Sequence, residues 1–316
     1  MRALLTGGNG MLARSIQVAW GLQRGNDDLV SVTRADADLS DAVATRAMID
    51  RVKPDVILHT AARVGGIAAN IADPAGFLMD NLLIDSSVLK SALDLGVSKF
   101  LYFGSSCMYP RDYRQPLVES DVLAAPLEPT NEGYALSKIA AAKYCGYASA
   151  QFGLSYRVIV PSNLYGPDDD YSLGHGHLVA AAMAKVHAAK LSGATTIDVW
   201  GDGTARREFT YVGDLADWVV AHLGEIDTWP AMMNVGFGSY HSVLEYYQAA
   251  MEVVGYSGEL VTDPSKPAGM HQKLMSSALA KQFGSEPRTE LLDGMSIAYQ
   301  RYLETSFSVP PAHPNS

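Results

Sequence analysis

Short apolar runs alternate with longer amphipathic stretches through the first half of the chain, and this pattern predicts a parallel α/β fold. After residue 163 the alternation of apolar and amphipathic segments is less regular. Residues 178–190 still predict a helix, and residues 210–223 predict a strand followed by a helix. The predicted strands are residues 2–6, 29–32, 56–58, 101–103 and 157–160, and the predicted helices between them run from about 11 to 23, 41 to 52, 77 to 95 and 134 to 152.

A glycine-rich turn joins the first predicted strand to the first predicted helix. It reads G-G-N-G-M-L-A from Gly7 to Ala13, which is the strand, turn and helix context that a phosphate-cradling fingerprint requires. Gly7 permits the tight turn, Gly10 lets a pyrophosphate approach the backbone at the helix N-terminus, and Ala13 allows the helix to pack closely on the strand. The pattern predicts a dinucleotide site that includes Met11; a plain glycine turn is the alternative.

These elements together favour a doubly wound parallel sheet of the Rossmann type with a smaller, discontinuous substrate domain. We expect the dinucleotide-binding domain to comprise residues 1–163 and about 208–237. The substrate domain is expected to comprise about 164–207 and 238–316.

The residues that follow the second and third strands indicate which dinucleotide is bound. Arg34 follows the second strand where an acidic residue would bind a ribose 2′-hydroxyl, and an arginine there suits a 2′-phosphate. This favours NADP, with NAD as the alternative and a solvated surface arginine as the non-functional reading. Ala61 and Ala62 follow the third strand and are small enough to let a cofactor lie against the backbone.

A tyrosine and a lysine four residues apart suggest proton transfer. Tyr134 and Lys138 share one face of the predicted helix, so the ammonium is expected to lower the pKa of the phenol. The segment G-S-S-C after the fourth strand brings Ser105 or Ser106, either of which could bind the same carbonyl oxygen, and Cys107, which could act as a base. The pair alone is weak evidence, and it gains weight from the dinucleotide site upstream.

Composition narrows the functional class. The formal net charge of −10 argues against a nucleic-acid partner. Cys107 and Cys145 are the two cysteines, and with no C-x-x-C spacing they predict neither a disulfide framework nor a metal site. Cys145 is expected in the core, and Asp168–Asp170 is expected to be a solvated acidic loop. Met1 leads almost directly into a strand, so we expect a cytoplasmic protein without a membrane span.

Five segments together resemble the extended short-chain dehydrogenase/reductase family and, within it, the GDP-L-fucose synthases. The resemblance covers roughly residues 2–304, and these blocks in this order are far more specific than the glycine turn alone. They are A-R-V-G-G-I-x-A-N at 62–70, G-S-S-C-M-Y-P at 104–110, L-E-P-T-N-E-x-Y at 127–134, P-S-N-L-Y-G-P at 161–167 and V-W-G-D-G-T-x-R-R-E-F at 199–209.

The resemblance implies an NADPH-dependent enzyme that epimerises carbons 3 and 5 of GDP-4-keto-6-deoxy-D-mannose and reduces carbon 4, giving GDP-L-fucose. In that chemistry Cys107 and His177 exchange protons with the sugar, while Ser105 and Tyr134 hold its ketone oxygen. An ordinary thiol has a pKa of about 8.5, so Cys107 would need a nearby cation or helix end to act as a base. Packing at a strand end is the alternative for Cys107, and capping of its helix is the alternative for His177.

Further roles follow from the same resemblance. It implies that Lys138 binds the nicotinamide ribose, and that Tyr134 and His177 also contact the cofactor. The implied cofactor-binding positions outside the turn are Arg34, Ala61, Ala62, Pro161, Asn163 and Leu164. The implied substrate-binding positions are Ser106, Cys107, Asn163, Lys185, Trp200, Arg207 and Lys273.

Several positions depart from the family pattern and leave the substrate open. Asn9 stands where an arginine often helps to hold the 2′-phosphate, Gly133 stands where proline is usual before the tyrosine, and Lys185 replaces a common arginine. The loop from Ser265 to Ser276, which contacts the sugar nucleotide in the family, reads S-K-P-A-G-M-H-Q-K-L-M-S. The Pro- and Gly-containing segment from Pro264 to Lys273 could close over a ligand.

We therefore predict an oxidoreductase and epimerase of nucleotide-sugar biosynthesis. The alternatives are a reductase or single epimerase acting on another GDP-4-keto sugar, such as a colitose or heptose precursor, and a non-catalytic NAD(P)-binding regulator. Family members pair through the helices at about 77–95 and 134–152, which implies a homodimer.

Overall fold

The computed structural model describes residues 1–172, 176–266 and 270–307. Its strands are β1 (Arg2–Thr6), β2 (Asp28–Val32), β3 (Val56–His59), β4 (Lys99–Phe103), β5 (Ser155–Pro161), β6 (Asn163–Tyr165), β7 (Thr196–Trp200), β8 (Arg206–Arg207), β9 (Phe209–Tyr211), β10 (Met232–Val235), β11 (His241–Ser242), β12 (Glu259–Asp263) and β13 (Gln272–Lys273). Its helices are α1 (Met11–Gln23), α2 (Ala42–Val52), α3 (Ile67–Ala72), α4 (Pro74–Asp94), α5 (Glu132–Phe152), α6 (Leu178–Ser192), α7 (Val212–His222), α8 (Val243–Val254), α9 (Ala278–Gln282) and α10 (Leu291–Phe307).

Six parallel strands form the central sheet, in the order β10, β5, β4, β3, β1, β2. The chain leaves β1 toward β2 on one side and returns to β3 on the other, so the strand order reverses between β1 and β3. Ligands of open parallel sheets bind at such a reversal, outside the carboxyl ends of the strands. The predicted doubly wound fold and its five predicted strands are confirmed; β10 was not predicted.

Helices cover both faces of the sheet because its central strands are apolar on both sides. One core lies between the sheet and α2, α4 and α5, and includes Ile57, Phe100 and the fully buried Cys145. A second core lies between the opposite face and α1 and α7, and includes Leu5 and Leu58. Burying each such leucine stabilises the fold by roughly 1.5–3 kcal/mol. Cys145 is a core residue, as predicted.

The rest of the chain builds a smaller layer beside the sheet. Helices α6, α8 and α10 pack around a third core with the parallel pair β7 and β12. A three-stranded sheet, ordered β11, β8, β13, lies next to them. The division into the two sequence ranges given above stays a prediction.

The acidic run at 168–170 is a loop, as the sequence predicted, but only Asp170 is exposed, while Asp168 and Asp169 are half-buried. Asp168 accepts a hydrogen bond from the Arg301 guanidinium on α10, at 3.0 Å. Burial raises the pKa of Asp169 to about 7. The run is therefore partly packed into the smaller layer, because α10 folds back against it.

Among the described residues, none of the helices combines the length and the apolar character needed to cross a bilayer.

Candidate active site

The reversal of strand order brings two predicted cofactor segments into contact. Gly7 has a φ of +75°, and a Cβ placed on it would lie 2.8 Å from the Ala61 Cα, so glycine is required for this approach. Gly10 is the N-cap of α1 and supplies no capping side chain. The amide groups of the first turn, beginning at Met11, are therefore available to an anion at the helix N-terminus.

Ser105 ends the connection from β4 and directs a short 3-10 turn, Ser106–Met108, over the sheet edge. Its hydroxyl accepts a hydrogen bond from the Cys107 backbone amide at 3.2 Å. The same hydroxyl lies close enough to Tyr134 to act on the pKa of its phenol. Ser106 is buried, whereas Cys107 is half-buried. Of the two candidate serines, the structure places Ser105 against Tyr134.

Tyr134 lies in the first turn of α5, and its pKa differs from the sequence-based expectation. Burial raises the pKa of the phenol, the nearby Cys107 adds to the increase, and the Ser105 hydroxyl opposes it. The prediction that Lys138 lowers the Tyr134 pKa is wrong for this structure. The Lys138 ammonium donates instead to the Phe103 carbonyl at 3.1 Å and lies 5.9 Å from the centre of the Tyr134 ring.

Lys138 lies next to a buried polar network of Tyr102, Asp85 and His59 that the sequence pattern did not predict. Its ammonium lies 4.6 Å from the centre of the Tyr102 ring, and the Tyr102 hydroxyl donates to Asp85 at 2.6 Å. The other Asp85 oxygen lies 3.0 Å from His59 Nε2. Burial lowers the pKa of Lys138, and the Asp85 carboxylate opposes that change. His59 is fully buried, and its other ring nitrogen lies 2.7 Å from the Thr6 hydroxyl.

The Cys107 sulfur has a partner from the turn that precedes α5. Asn131 Nδ2 donates to Cys107 Sγ at 3.1 Å. Lys273, on β13, also interacts electrostatically with Cys107, which opposes the lowering of the Lys273 pKa by burial. Neither the hydrogen bond nor the electrostatic interaction could be predicted from sequence spacing, because Asn131 and Lys273 belong to two segments that are distant from Cys107 in the sequence.

The small three-stranded sheet carries the predicted basic residues to the same cleft. Arg207 and Lys273 are paired across β8 and β13, and both interact with Glu128. The buried Glu208 carboxylate fixes this arrangement, since it accepts hydrogen bonds from the Gly238 amide at 2.8 Å and the Met275 amide at 3.2 Å. Burial raises the pKa of Glu208 to about 7. Glu208 belongs to the V-W-G-D-G-T-x-R-R-E-F segment, but the sequence pattern predicted no role for it.

His177 is the N-cap residue of α6, but its side chain makes no capping hydrogen bond. The reading of His177 as a helix cap is therefore wrong. His177 is exposed at the surface, but neighbouring protein atoms partly desolvate the ring and lower its pKa, and the Asp170 carboxylate opposes this change.

The other predicted site residues lie on several different elements. The Asn163 amide donates to the Glu208 carbonyl at 3.1 Å, and the Lys185 ammonium donates to the Asp198 carbonyl. Trp200 ends β7 with 59% of its surface exposed. Arg34 is exposed beyond β2, Ala62 is half-buried after β3, Pro161 ends β5 and Leu164 lies in β6. Part of the predicted closing loop, residues 267–269, lies outside the described residues.

Several known proteins are similar to this chain in sequence and in fold. The family model described as the NAD dependent epimerase/dehydratase family matches residues 3–236. A GDP-L-fucose synthase from Azorhizobium caulinodans is 40% identical over 302 residues, which are 96% of each chain. A GDP-L-colitose synthase from Yersinia pseudotuberculosis is 36% identical over 304 residues, 96% of this chain and 98% of that one. The structure of a GDP-mannoheptose C4 reductase from Campylobacter jejuni with NADP bound superposes with a TM-score of 0.86 at 29% identity, covering 96% of this chain and 98% of that one.

Proposed function

This chain belongs to the NAD dependent epimerase/dehydratase family, and on that premise we propose that it uses NADPH to convert GDP-4-keto-6-deoxy-D-mannose to GDP-L-fucose. The observation that carries the proposal is that Tyr134 on α5 lies beside Ser105 and Cys107, which follow the end of β4, while Lys273 interacts electrostatically with Cys107. A hydroxyl pair beside a thiol can serve both reduction of a ketone and epimerisation next to it. The similarity to a GDP-L-fucose synthase supports this choice of substrate.

The residues at the sheet edge fit a nicotinamide dinucleotide. The glycine contact between Gly7 and Ala61 is closed to any side chain, and the uncapped first turn of α1 suits a pyrophosphate. Arg34 lies exposed beyond β2, where it would hold a 2′-phosphate, and Lys138 would bind the nicotinamide ribose. A reduced nicotinamide, when bound, supplies a hydride for carbon 4 of the sugar.

Ser105 and Tyr134 act on the ketone oxygen. The two hydroxyls lie near enough to each other to interact, so both can donate to one oxygen acceptor between them. Because burial raises the pKa of Tyr134, the phenol is protonated at neutral pH and serves as the proton donor when the ketone is reduced. Lys138 contributes a buried positive charge next to it.

Cys107 and His177 exchange protons with the carbons beside the ketone. The Cys107 thiolate removes the proton from carbon 3 or carbon 5, and the electron pair of the broken C–H bond moves onto the ketone oxygen. Ser105 and Tyr134 hold that enolate oxygen. His177 returns a proton to the opposite face of the ring, and its lowered pKa makes the protonated imidazole a stronger acid. The carbon is thereby inverted with no net change in protons.

The basic and aromatic residues around the cleft suit a nucleoside diphosphate. Arg207 offers a planar fork for phosphate oxygens, and Lys273 adds a second cation from the neighbouring strand. The exposed Trp200 ring offers a face for a nucleobase or sugar. Lys185 and Asn163 are assigned to the same pocket. Lys185 would have to leave the Asp198 carbonyl to reach a phosphate.

The test is to supply GDP-4-keto-6-deoxymannose with NADPH or NADH in deuterated water and identify the product by NMR. We expect GDP-L-fucose with deuterium at carbons 3 and 5, and faster turnover with NADPH. Oxidation of NADPH with deuterium at one carbon or neither would instead support the second candidate, reduction or single epimerisation of another GDP-4-keto sugar. The similarity to a GDP-L-colitose synthase and a GDP-mannoheptose C4 reductase favours that candidate over unrelated reactions.

A further inference from the structure

We infer that Gln115 is a positioning residue for Lys273. Its side-chain carbonyl binds the backbone directly after β13 and so holds Lys273 next to residues 115–119, which we call the 115–119 segment. The consequence for binding rests on the part of the proposed function in which Lys273 contacts the diphosphate of a GDP-sugar. The hydrogen bond itself belongs to the free protein.

The strand β13 is too short to fix Lys273 by itself. It comprises Gln272–Lys273 and pairs in parallel with the equally short β8. In that pairing Lys273 lies opposite Arg207, and two like charges side by side weaken a pair of strands. The position of Lys273 therefore depends on what binds the residues that follow it.

The residue after Lys273 is bound on both sides of its backbone by the 115–119 segment. The Leu274 amide donates to Gln115 Oε1 at 2.7 Å, and the Leu274 carbonyl accepts from the Leu117 amide at 2.9 Å. The Ser276 amide donates in turn to the Leu117 carbonyl at 2.8 Å. The Leu274 amide belongs to the planar peptide unit that joins Lys273 to Leu274, so Gln115 fixes the backbone of Lys273 itself.

The central sheet holds the 115–119 segment in place. Leu117 is fully buried, and its carbonyl also accepts from Asn234 Nδ2, on β10, at 3.2 Å. The Asn234 amide donates to the Glu119 carboxylate at 2.8 Å, and Asn234 Oδ1 accepts from the Tyr109 hydroxyl at 2.5 Å. Because β10 fixes this segment at several points, the acceptor that the segment presents to Leu274 has a defined position.

Binding of GDP to the full-length protein, measured by isothermal titration calorimetry, tests the inference without turnover. Gln115→Met removes the acceptor at nearly constant length, and we expect it to weaken the affinity for GDP by about threefold to tenfold. The Kd for NADPH should stay unchanged, because the glycine turn and Arg34 lie on other elements. The matched control is Gln151→Met, which alters an exposed glutamine on α5 and should keep both Kd values.

A double-mutant cycle separates positioning of Lys273 from a general effect on the fold. Lys273→Met should weaken GDP binding by about tenfold or more. Adding Gln115→Met should then change the Kd by less than about twofold, because the residue through which Gln115 acts is gone. An unchanged Kd for GDP in Gln115→Met, a parallel loss of NADPH affinity, or effects that multiply in the double variant would overturn the inference.

The second variant keeps the hydrogen bond. Gln115→Glu retains an acceptor oxygen for the Leu274 amide, so it should bind GDP within about threefold of the wild type. A loss as large as that in Gln115→Met would also contradict the inference. A wild type that binds no GDP would remove the proposed function, and the role inferred for Lys273 with it. A protein that shows the expected cycle but converts no 4-keto sugar nucleotide would keep this inference and remove the proposed reaction.

Discussion

At the scale of single residues, the raised pKa of Tyr134 decides the direction of its proton transfer. A phenol with a lowered pKa could act as a base, as the lysine four residues away suggested. Lys138 instead bonds the Phe103 carbonyl and lies over the Tyr102 ring, so burial determines the state of the phenol. Under the proposed function Tyr134 is therefore a protonated donor to the ketone oxygen, and ketone reduction is the step that needs it most.

We predict that Tyr134→Phe lowers kcat for NADPH oxidation by about 10²–10⁴-fold, because the variant keeps the ring but loses the acidic proton. The measurement is the steady-state loss of NADPH absorbance with a GDP-4-keto sugar. The matched control is Tyr147→Phe, which alters an exposed tyrosine on the same helix and should keep full activity. Equal rates in the wild type and Tyr134→Phe would contradict the assignment.

Cofactor choice depends on a single exposed arginine. We predict that Arg34→Gln raises the KM for NADPH by about tenfold or more and leaves the KM for NADH unchanged, because only NADPH carries the phosphate that Arg34 would bind. The control is Arg46→Gln, an arginine on α2 that pairs with Asp94. A parallel rise in both KM values would show that Arg34 acts on the fold of the turn, not on the phosphate.

The sequence alone could predict those site residues that are positioned by a single strand end or a single helix turn. Ser105 and Tyr134 belong to a strand end and a helix turn that the pattern locates, and the structure brings them together. Asn131 could not be predicted as a partner of sulfur, since asparagine before a helix usually indicates an ordinary cap. The environment of Lys138 was missed for a similar reason, because Asp85 and Tyr102 come from α4 and β4, which are distant from it in the sequence.

At the scale of elements, Glu208 links β8 and β9 to the segments that carry Lys273. Its two oxygens accept from amides that follow β10 and β13, so one carboxylate joins three parts of the chain. Two-residue strands such as β8 and β13 have too little periodicity to be predicted, and Glu208 shows what holds them in register. The long helices and the β1–β5 strands were predicted because each spans several periods of its own pattern.

Glu208 gives a pH dependence of stability with a definite sign. Its pKa is raised from 4.5 to about 7, so the folded protein binds more protons than the unfolded chain between these values. Stability must therefore fall as pH rises through this window, by an amount on the order of 3 kcal/mol for this group. We predict that Glu208→Gln removes this part of the fall, measured by urea unfolding at about pH 5 and about pH 8.

The control for this experiment is a glutamate whose pKa is lowered rather than raised in the folded protein. Glu245 caps α8, and hydrogen bonds from Ser242 lower its pKa below 4.5. Glu245→Gln should therefore change stability by the same amount at both pH values. A Glu208→Gln variant whose difference from the wild type is also independent of pH would show that the buried carboxylate does not carry the linkage.

At the scale of the whole molecule, the exposed faces of α4 and α5 indicate how two copies would meet. The two helices pack side by side on one face of the sheet. Met79 and Leu83 on α4, and Leu136 and Tyr147 on α5, are between 40% and 69% exposed. Neighbouring apolar stripes on adjacent helices favour a two-fold interface, which would bury them in a four-helix arrangement. The first turn of α5 also carries Tyr134, so such an interface would brace the catalytic helix.

We predict that the wild type runs as a homodimer of 33.9 kDa chains and that Tyr147→Glu combined with Leu83→Glu yields monomers, because two buried charges would face each other across the symmetry axis. Light scattering coupled to gel filtration measures the mass directly. Leu191→Glu is the control, since it alters a leucine on α6 that is 71% exposed and lies away from both stripes. A monomeric wild type, or a double variant that keeps the dimer mass, would place the interface elsewhere. Because the sheet and α5 are complete within one chain, the monomer should remain folded, and any loss of activity would then measure how much the partner steadies Tyr134.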